Sequence, residues 1–420
     1  NQVQKTGESS FIPYYLREAF GLTTVRHRIA VYAYYFYRLI QRAEHVTFVY
    51  NESNSGLRQN EISRFLRQLL AETDFPIRLR KLQADSAVEP LTPIVREKTP
   101  EVLRQLREYY DNAGRPATQR RFLSPSAMNA FTTCPLLFYY RYVEGLRVDP
   151  DPADGLDAIL FGNVFHRAAE LLYRQLTSAG AVVRGEDIDF FLEMDGQRLE
   201  PFVRQAFREE FFKGMPEEYR GILYIARRVV NTYLMQLLRH DRRLTPITIL
   251  GLEVRQTTTL RIAGMEIDTG GIIDRLDLVA DDQVAGGQAI RVVDYKTGGR
   301  PEAVATLDQL FQDTDQKAHY AFQPILYAAI VAEARRQPVT PALFYVHRSG
   351  AETYTPKLRL CGQLIHDVGA PAGRDAAETL SAEFTERLER LIARIFDPAE
   401  PFRQTDNLRS CEHCDFRQLC

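Results

Sequence analysis

In the stretch Val293-Asp294-Tyr295-Lys296-Thr297-Gly298, an apolar segment ends in two charged residues. The β-branched run at 290–293 predicts a strand that continues through Lys296. Side chains alternate along a strand, so Asp294 and Lys296 should lie on one face and Tyr295 on the other. Charges at the end of an apolar strand cost free energy unless they are paired or bound to a metal. Taken alone, the pattern would be read as an ion-paired surface.

A second carboxylate lies twenty residues upstream, in Gly271-Ile272-Ile273-Asp274-Arg275. Residues 266–279 read as a strand and residues 281–287 as a turn, which predicts a hairpin with Asp274 and Asp294 on neighbouring strands. Two hard oxygen donors placed in this way suit Mg²⁺ or Mn²⁺. The backbone carbonyl of Tyr295 is a candidate third ligand.

His166 is the candidate fourth ligand. It lies in a predicted helix over residues 162–178, where a lone histidine on an apolar helix is more often structural than functional. Beside the carboxylate pair, ligation is the better interpretation, and one imidazole shifts the tolerance of the site toward Mn²⁺. Because the ligand must be neutral, this interpretation predicts activity that falls as the pH drops through about 6.5.

Lys296 would hold its charge next to both aspartates. In phosphodiester hydrolysis such a lysine orients or deprotonates the attacking water, or neutralises charge that builds up in the transition state. The sequence leaves both roles open, and it leaves open whether one metal ion or two are used.

Gln323 and Tyr327 are four residues apart on a predicted helix over residues 317–334, so they share one face. We interpret them as residues that contact the DNA backbone or close over the metal site. Ordinary helix surface is the alternative.

Four of the five cysteines form a second candidate site. Cys411-x2-Cys414-x5-Cys420 supplies three thiolates, and Cys134 is a better fourth candidate than Cys361. The spacing favours a [4Fe-4S] cluster over zinc, whose sites more often pair two Cys-x2-Cys knuckles. Such a cluster would join the two ends of a domain, and we expect its role to be structural.

The length of 420 residues predicts two to three domains. We place a mainly helical segment and linker at 1–120 and an α/β domain at 121–420, with a mixed central β-sheet flanked by helices and interrupted by a helical insertion. The sequence predicts strands at 45–50, 247–296 (a meander) and 342–347, a turn at 51–56, and helices at 30–43, 59–73, 101–110, 124–139, 162–178, 187–240, 302–310, 317–334 and 374–396.

Composition excludes several classes of protein. The formal net charge of −2 carries no overall signature of nucleic-acid binding, so any DNA contact must come from local patches. The sequence contains no apolar run long enough for a membrane span, no Gly-x4-Gly-Lys-Ser/Thr loop and no Gly-x-Ser-x-Gly elbow. The chain begins at Asn1 without a signal peptide, which we interpret as a piece of a longer cytoplasmic polypeptide.

Taken together, these motifs resemble the RecB-like branch of the PD-(D/E)xK nuclease superfamily that carries an iron–sulfur cluster. The branch has its motifs in a fixed order, which is matched here by Ser124 to Pro135, Gly162 to His166, Gly271 to Asp274, Asp294 to Lys296, Gln323 to Tyr327, and Cys411 to Cys420. The N-terminal segment is similar to the end of AddB-like helicase–nuclease subunits before their nuclease domain.

The resemblance implies an Mg²⁺-dependent DNA nuclease with the metal at His166, Asp274 and Asp294 and with Lys296 catalytic. It also implies action on single-stranded DNA ends in double-strand break repair, beside an AddA-like partner subunit and away from membranes. The alternative is a DNA-binding module that the iron–sulfur cluster holds together and in which nuclease activity is vestigial. A zinc-binding scaffold is a third.

Overall fold

A computed structural model describes residues 14–50, 62–80, 93–148, 156–300, 304–312, 320–351, 353–370, 378–412 and 414–420. The chain divides into two compact units, residues 1–90 and 91–420. The described part of the first unit contains three helices, α1 (Tyr14–Ala19), α2 (Val25–Ile40) and α3 (Arg64–Glu72). This unit is mainly helical, as the sequence predicted. No helix in the described ranges is long and apolar enough to cross a membrane.

The second unit is built around a mixed six-stranded sheet. Its strands are β2 (Phe122–Leu123), β3 (Val182–Val183), β4 (Ile247–Ile262), β5 (Met265–Ala280), β6 (Gln288–Lys296) and β7 (Val339–Tyr345), after a short β1 (Val95–Arg96) outside the sheet. The order is β3-β4-β5-β6-β7, with β2 parallel to β5. Strands β4, β5 and β6 form the predicted antiparallel meander, and β6 and β7 are parallel. The predicted fold class is confirmed.

Helices cover both faces of this sheet. They are α4 (Pro100–Tyr110), α5 (Pro125–Thr133), α6 (Pro135–Phe138), α7 (Ala158–Leu176), α8 (Gly185–Leu192), α9 (Glu200–Phe207), α10 (Ile222–Arg242), α11 (Phe322–Arg335), α12 (Leu380–Phe396) and α13 (Leu408–Cys411). The remaining strands are the two-residue pieces β8 (Arg359–Leu360), β9 (Gln363–Leu364) and β10 (Phe402–Arg403).

Alternation along β6 divides the interior into two cores. Ile290 and Val292 pack with α5, α11 and α12, whereas Val293 and Tyr295 pack with α7, α9 and α10. A strand buried on both faces needs a near-continuous apolar run, and residues 289–293 supply one that is interrupted only by Arg291, whose charge is paired with Asp241 and Asp277. The two charged residues follow where this run ends.

Helix starts follow local chemistry. The side chain of Ser124 accepts a hydrogen bond from the N–H of Ala127, and Asp157 caps α7 in the same way at Leu160. Pro125 occupies the first turn of α5, where its missing N–H costs nothing. These caps set the first turns of α5 and α7.

Several predicted elements were wrong. Residues 45–50 form no strand, and no described residue pairs with them. In the described part of the helix predicted at 302–310, which starts at residue 304, only Leu307–Leu310 is helical, as a short 3₁₀ turn. The helix expected over 124–139 breaks at Cys134, whose backbone is extended, and the region 187–240 is split into α8, α9 and α10. The turn at 51–56 and the starts of the helices expected at 317 and 374 lie outside the described residues.

The division after residue 90 differs from the predicted boundary near residue 120. Val95 and Arg403 pair between β1 and β10, so this segment belongs to the second unit. Nζ of Lys98 donates to the carbonyl oxygens of Arg394 at 2.6 Å and Asp397 at 3.2 Å, at the C-terminus of α12. Each of these carbonyls also accepts a longer backbone hydrogen bond, at 3.4 Å from Asp397 and at 3.3 Å from Glu400. Carbonyls at the end of a helix lack the regular partner four residues on, and a nearby lysine stabilises them.

Candidate active site

Asp274 and Asp294 lie where the pairing of β5 and β6 ends. Arg275 pairs with Val293 in antiparallel register, and the two aspartates are the next residues on their strands. The N–H of Tyr295 donates a hydrogen bond of 2.7 Å to Oδ2 of Asp274. The predicted hairpin therefore brings both carboxylates to the same end of the sheet.

Helix α7 adds His166 to this pair. Its Nδ1 lies 3.3 Å from Oδ2 of Asp274, and the ring is held edge-on against Phe165 and Tyr295. Burial lowers the pKa of His166, but the charges of Asp274 and Asp294 raise it, to about 9. Without a metal the imidazole is therefore protonated at neutral pH and paired with Asp274.

Asp294 and Lys296 lie on one face of β6, as predicted. Nζ of Lys296 is 2.6 Å from Oδ2 of Asp294, whose side chain is only 3% exposed. Burial raises the pKa of Asp294, and the Lys296 ammonium opposes that shift. Burial lowers the pKa of Lys296, but the Asp294 carboxylate raises it above its usual value. Tyr295, between them, is buried in the opposite core.

Glu253 on β4 joins the site, and the sequence analysis missed it. One ligand atom each from His166, Glu253 and Asp274 lie within 4.8 Å of one another. Burial raises the pKa of Glu253 to about 7, and the charge of Asp274 adds to the shift. Its backbone has φ +50, a left-handed conformation that is strained for this residue type.

A buried ion network lies beneath Asp274. Nη1 of Arg275 is 2.6 Å from Oδ2 of Asp241, and Nε is 2.9 Å from Oδ2 of Asp277. Arg291 on β6 contacts the same two carboxylates at 3.3 and 2.8 Å. Tyr173, on the helix that carries the histidine, hydrogen-bonds to Asp241. All five side chains are buried, so they fix α7, α10, β5 and β6 relative to one another.

Gly271 and Tyr327 are in close contact. A Cβ at Gly271 would lie 2.3 Å from Oη of Tyr327, so a larger residue cannot be accommodated without movement. The Tyr327 hydroxyl hydrogen-bonds with the side chain of Gln323 and with the backbone of Ile272. Tyr327 is 3% exposed, and Gln323 is half-buried. The structure thus brings this helix face against the strand that carries Asp274.

The four cysteines predicted to form a cluster lie around a single cavity. This cavity of about 200 Å³ is lined by Cys134, Cys411, Cys414 and Cys420, together with Tyr140 and Phe416 among others. All four are free thiols. Burial raises the pKa of the Cys134 thiol. Cys361 is exposed and does not line the cavity.

Comparison with protein-family models places these residues in context. The model of the PD-(D/E)XK nuclease superfamily matches residues 122–420, well over half of the chain. The match begins at β2 and includes the sheet, the carboxylates and the cysteines. No curated protein matches the chain.

Proposed function

Because the chain belongs to the PD-(D/E)XK nuclease superfamily, we propose that it is a Mg²⁺-dependent DNA nuclease that cleaves single-stranded DNA at or near an end. Superfamily members are generally nucleases that bind DNA and use divalent metals. The observation that carries the proposal is the meeting of His166, Asp274, Asp294 and Lys296 at one end of the β5–β6 pair.

The donor set fits a hard divalent cation. Among the described residues, Oδ2 of Asp294 is buried, and its only polar contact is the Lys296 ammonium. A buried carboxylate oxygen in this position is costly unless positive charge compensates it. We expect His166, Asp274, Asp294 and the backbone carbonyl of Tyr295 to hold Mg²⁺, or Mn²⁺ in its place. When bound, the ion lowers the pKa of a water molecule and polarises a phosphoryl oxygen.

Lys296 is better suited to supply charge than to remove a proton. The Asp294 carboxylate raises its pKa despite burial, so the side chain is an ammonium at neutral pH. An ammonium fixed beside the metal site stabilises negative charge that builds up on the phosphoryl oxygens in the transition state. Of the two roles left open by the sequence, the structure therefore favours charge neutralisation.

We propose that Gln323 and Tyr327 contact the DNA backbone at this site. We also propose that Tyr327 positions β5 through its contact with Gly271. The motif order from Ser124 to Cys420, together with the similarity of the N-terminal segment to AddB-like helicase–nuclease subunits, supports our proposal of an AddB-like role in double-strand break repair, with an AddA-like partner subunit in the cytoplasm. Gln323 is half-buried and can present its amide to a DNA strand while bonded to Tyr327.

We also propose that Cys134, Cys411, Cys414 and Cys420 hold a [4Fe-4S] cluster. Zinc binds thiolates at about 2.3 Å in a tetrahedron, which puts its sulfur atoms roughly 3.8 Å apart. No three of these four sulfur atoms lie within 4.8 Å of one another in the described structure. The wider spacing, around a cavity of about 200 Å³, suits a larger cofactor than one zinc ion.

The test is cleavage of end-labelled single- and double-stranded DNA in Mg²⁺ or in EDTA. We expect Mg²⁺-dependent products that are lost in Asp294→Asn and in Lys296→Ala, with unchanged circular dichroism. Glu266→Gln, a carboxylate change at the far end of β5, is the control and should cleave normally. Binding of DNA without Mg²⁺-dependent products would instead support a DNA-binding module with vestigial activity.

A further inference from the structure

We propose that Glu253 is a further ligand of the divalent cation, so that the site presents three carboxylates and one imidazole. The inference rests on the proposed nuclease function and adds a residue that the sequence motifs do not include. It starts from the distances: one ligand atom each of His166, Glu253 and Asp274 lie within 4.8 Å of one another. Octahedral coordination at about 2.1 Å separates neighbouring ligands by roughly 3 Å and opposite ligands by roughly 4.2 Å.

The carboxylate of Glu253 lies in surroundings that would stabilise a bound cation. In the described part of the chain, no hydrogen bond or ion pair reaches its carboxylate, while the carboxylate of Asp274 is close by. Two carboxylates side by side without a cation repel each other. His166 is the basic residue with the larger electrostatic effect on Glu253, but its Nδ1 is paired with Asp274 at 3.3 Å and the imidazole is neutral once it binds a metal. Arg174, which has the next largest effect, is paired with Glu170 at 2.7 Å.

The pairing of β4 with β5 explains why Glu253 reaches the site. Leu252 pairs with Arg275 and Val254 with Ile273, which sets Glu253 across from Asp274. A register shift between Ile249 and Gly251 precedes this point and fixes which β4 residue faces the aspartate. The residues immediately before and after Glu253 are thus paired with β5, and Glu253 lies between them within β4.

The charge balance also fits. With a neutral histidine, Asp274, Asp294 and Lys296 together carry a single negative charge. Glu253 brings the total to two negative charges, which one divalent cation neutralises. Matching of ligand charge to the cation favours binding.

The test compares Glu253→Gln with the wild type, using Mn²⁺ as the probe at pH 8 and no DNA. Gln keeps the volume and removes the charge. We expect titration calorimetry to show Mn²⁺ binding weakened by about tenfold or more. We also expect the metal-free melting temperature to stay equal or rise, because a like-charge contact is removed, while the increase in melting temperature caused by Mn²⁺ shrinks.

Two controls separate the possible outcomes. Glu266→Gln should bind Mn²⁺ as the wild type does, and Asp294→Asn should bind it weakly. If Glu253→Gln binds Mn²⁺ with wild-type affinity while Asp294→Asn does not, the role of Glu253 is refuted and the nuclease site stands. If Mn²⁺ binding is the same in Asp294→Asn as in the wild type, the proposed function itself fails. A lower metal-free melting temperature with an unchanged Mn²⁺ response would show that Glu253 is only structural.

Discussion

Replacement of Gly271 by alanine should disturb the site through a single atom of Tyr327. The new Cβ would lie 2.3 Å from Oη of Tyr327, about 1.1 Å inside the shortest ordinary contact of 3.4 Å, and 3.2 Å from Cζ. Either Tyr327 or β5 must move. Since Asp274 follows three residues later on β5, we expect both stability and DNA cleavage to fall.

The size of the effect follows from overpacking in a core. Extra methyl groups in well-packed interiors cost about 1–3 kcal/mol, and the rigidity of a paired strand places Gly271→Ala near the upper end. Tyr327→Phe removes the clashing oxygen together with its hydrogen bonds, at a cost of about 1 kcal/mol. In the double variant the Cβ meets only carbon atoms, at 3.2 Å or more. We therefore expect it to be more stable than the sum of the two single changes by about 1 kcal/mol or more.

Urea unfolding of the wild type, the two single variants and the double variant measures this coupling energy. Single-turnover cleavage of DNA measures the effect of each change on the active site. Gly298→Ala is the control, because nothing lies within 4 Å of the Cβ it would add. It should unfold like the wild type. Additive costs in the double variant would refute the contact between Gly271 and Tyr327 as the cause.

Three further predictions concern pH, the buried ions and the cysteines. His166 has a pKa of about 9 in the folded protein, above the value of about 6.5 in the unfolded chain. Its pairing with Asp274 therefore stabilises the metal-free protein fully below pH ~6.5, and this stabilisation is lost as the pH rises through about 9. The affinity for Mn²⁺ should increase over the same pH range, with release of a proton that calorimetry in weak buffer detects, and an affinity independent of pH would contradict this. Asp241→Asn removes a negative charge that Arg275 and Arg291 share in the interior, and it should lower the free energy of unfolding by about 3–5 kcal/mol. The control Glu101→Gln, which breaks an exposed ion pair with Arg104, should leave the free energy of unfolding unchanged. Cys134→Ser should remove absorbance near 400 nm and lower the melting temperature of protein purified without oxygen, whereas Cys361→Ser should do neither; equal spectra in both would exclude the cluster.

The pH window illustrates what the sequence could not supply. A neutral ligand predicted loss of activity near the ordinary histidine pKa of about 6.5. In the structure, Nδ1 of His166 lies 3.3 Å from Asp274, and this pairing raises the pKa of the imidazole. Protons therefore compete with the metal ion for His166 up to a higher pH. Such a shift depends on a distance between residues far apart in the chain.

The hairpin of β5 and β6 could be predicted because its signals are local. Alternation, a β-branched run and a turn fixed both strands and the face of Asp294 and Lys296. The sequence also indicated the four cysteines that line one cavity, three of them by their close spacing and Cys134 by the proline and aromatic residues that follow it. In contrast, the strand expected at 45–50 rested on composition alone, and it pairs with no residue in the described part of the chain.

Glu253 escaped prediction for a different reason. Its position across from Asp274 depends on the register of β4 against β5, and the shift between Ile249 and Gly251 moves that register by one residue. A strand without the shift would turn the opposite face of β4 toward the aspartate. No periodicity in the sequence marks the extra residue.

The same dependence on register explains why ions are buried beneath the site. On β5, Asp274 faces His166, while its neighbour Arg275 is fully buried against Asp241 and Asp277. A slip of one residue would place the arginine beside the histidine and bury the aspartate among carboxylates. Buried ion pairs contribute little net stability, but an unpaired buried charge is strongly unfavourable. The network therefore disfavours the slipped pairing far more than it stabilises the native one, and it specifies which residue of β5 reaches the proposed metal site.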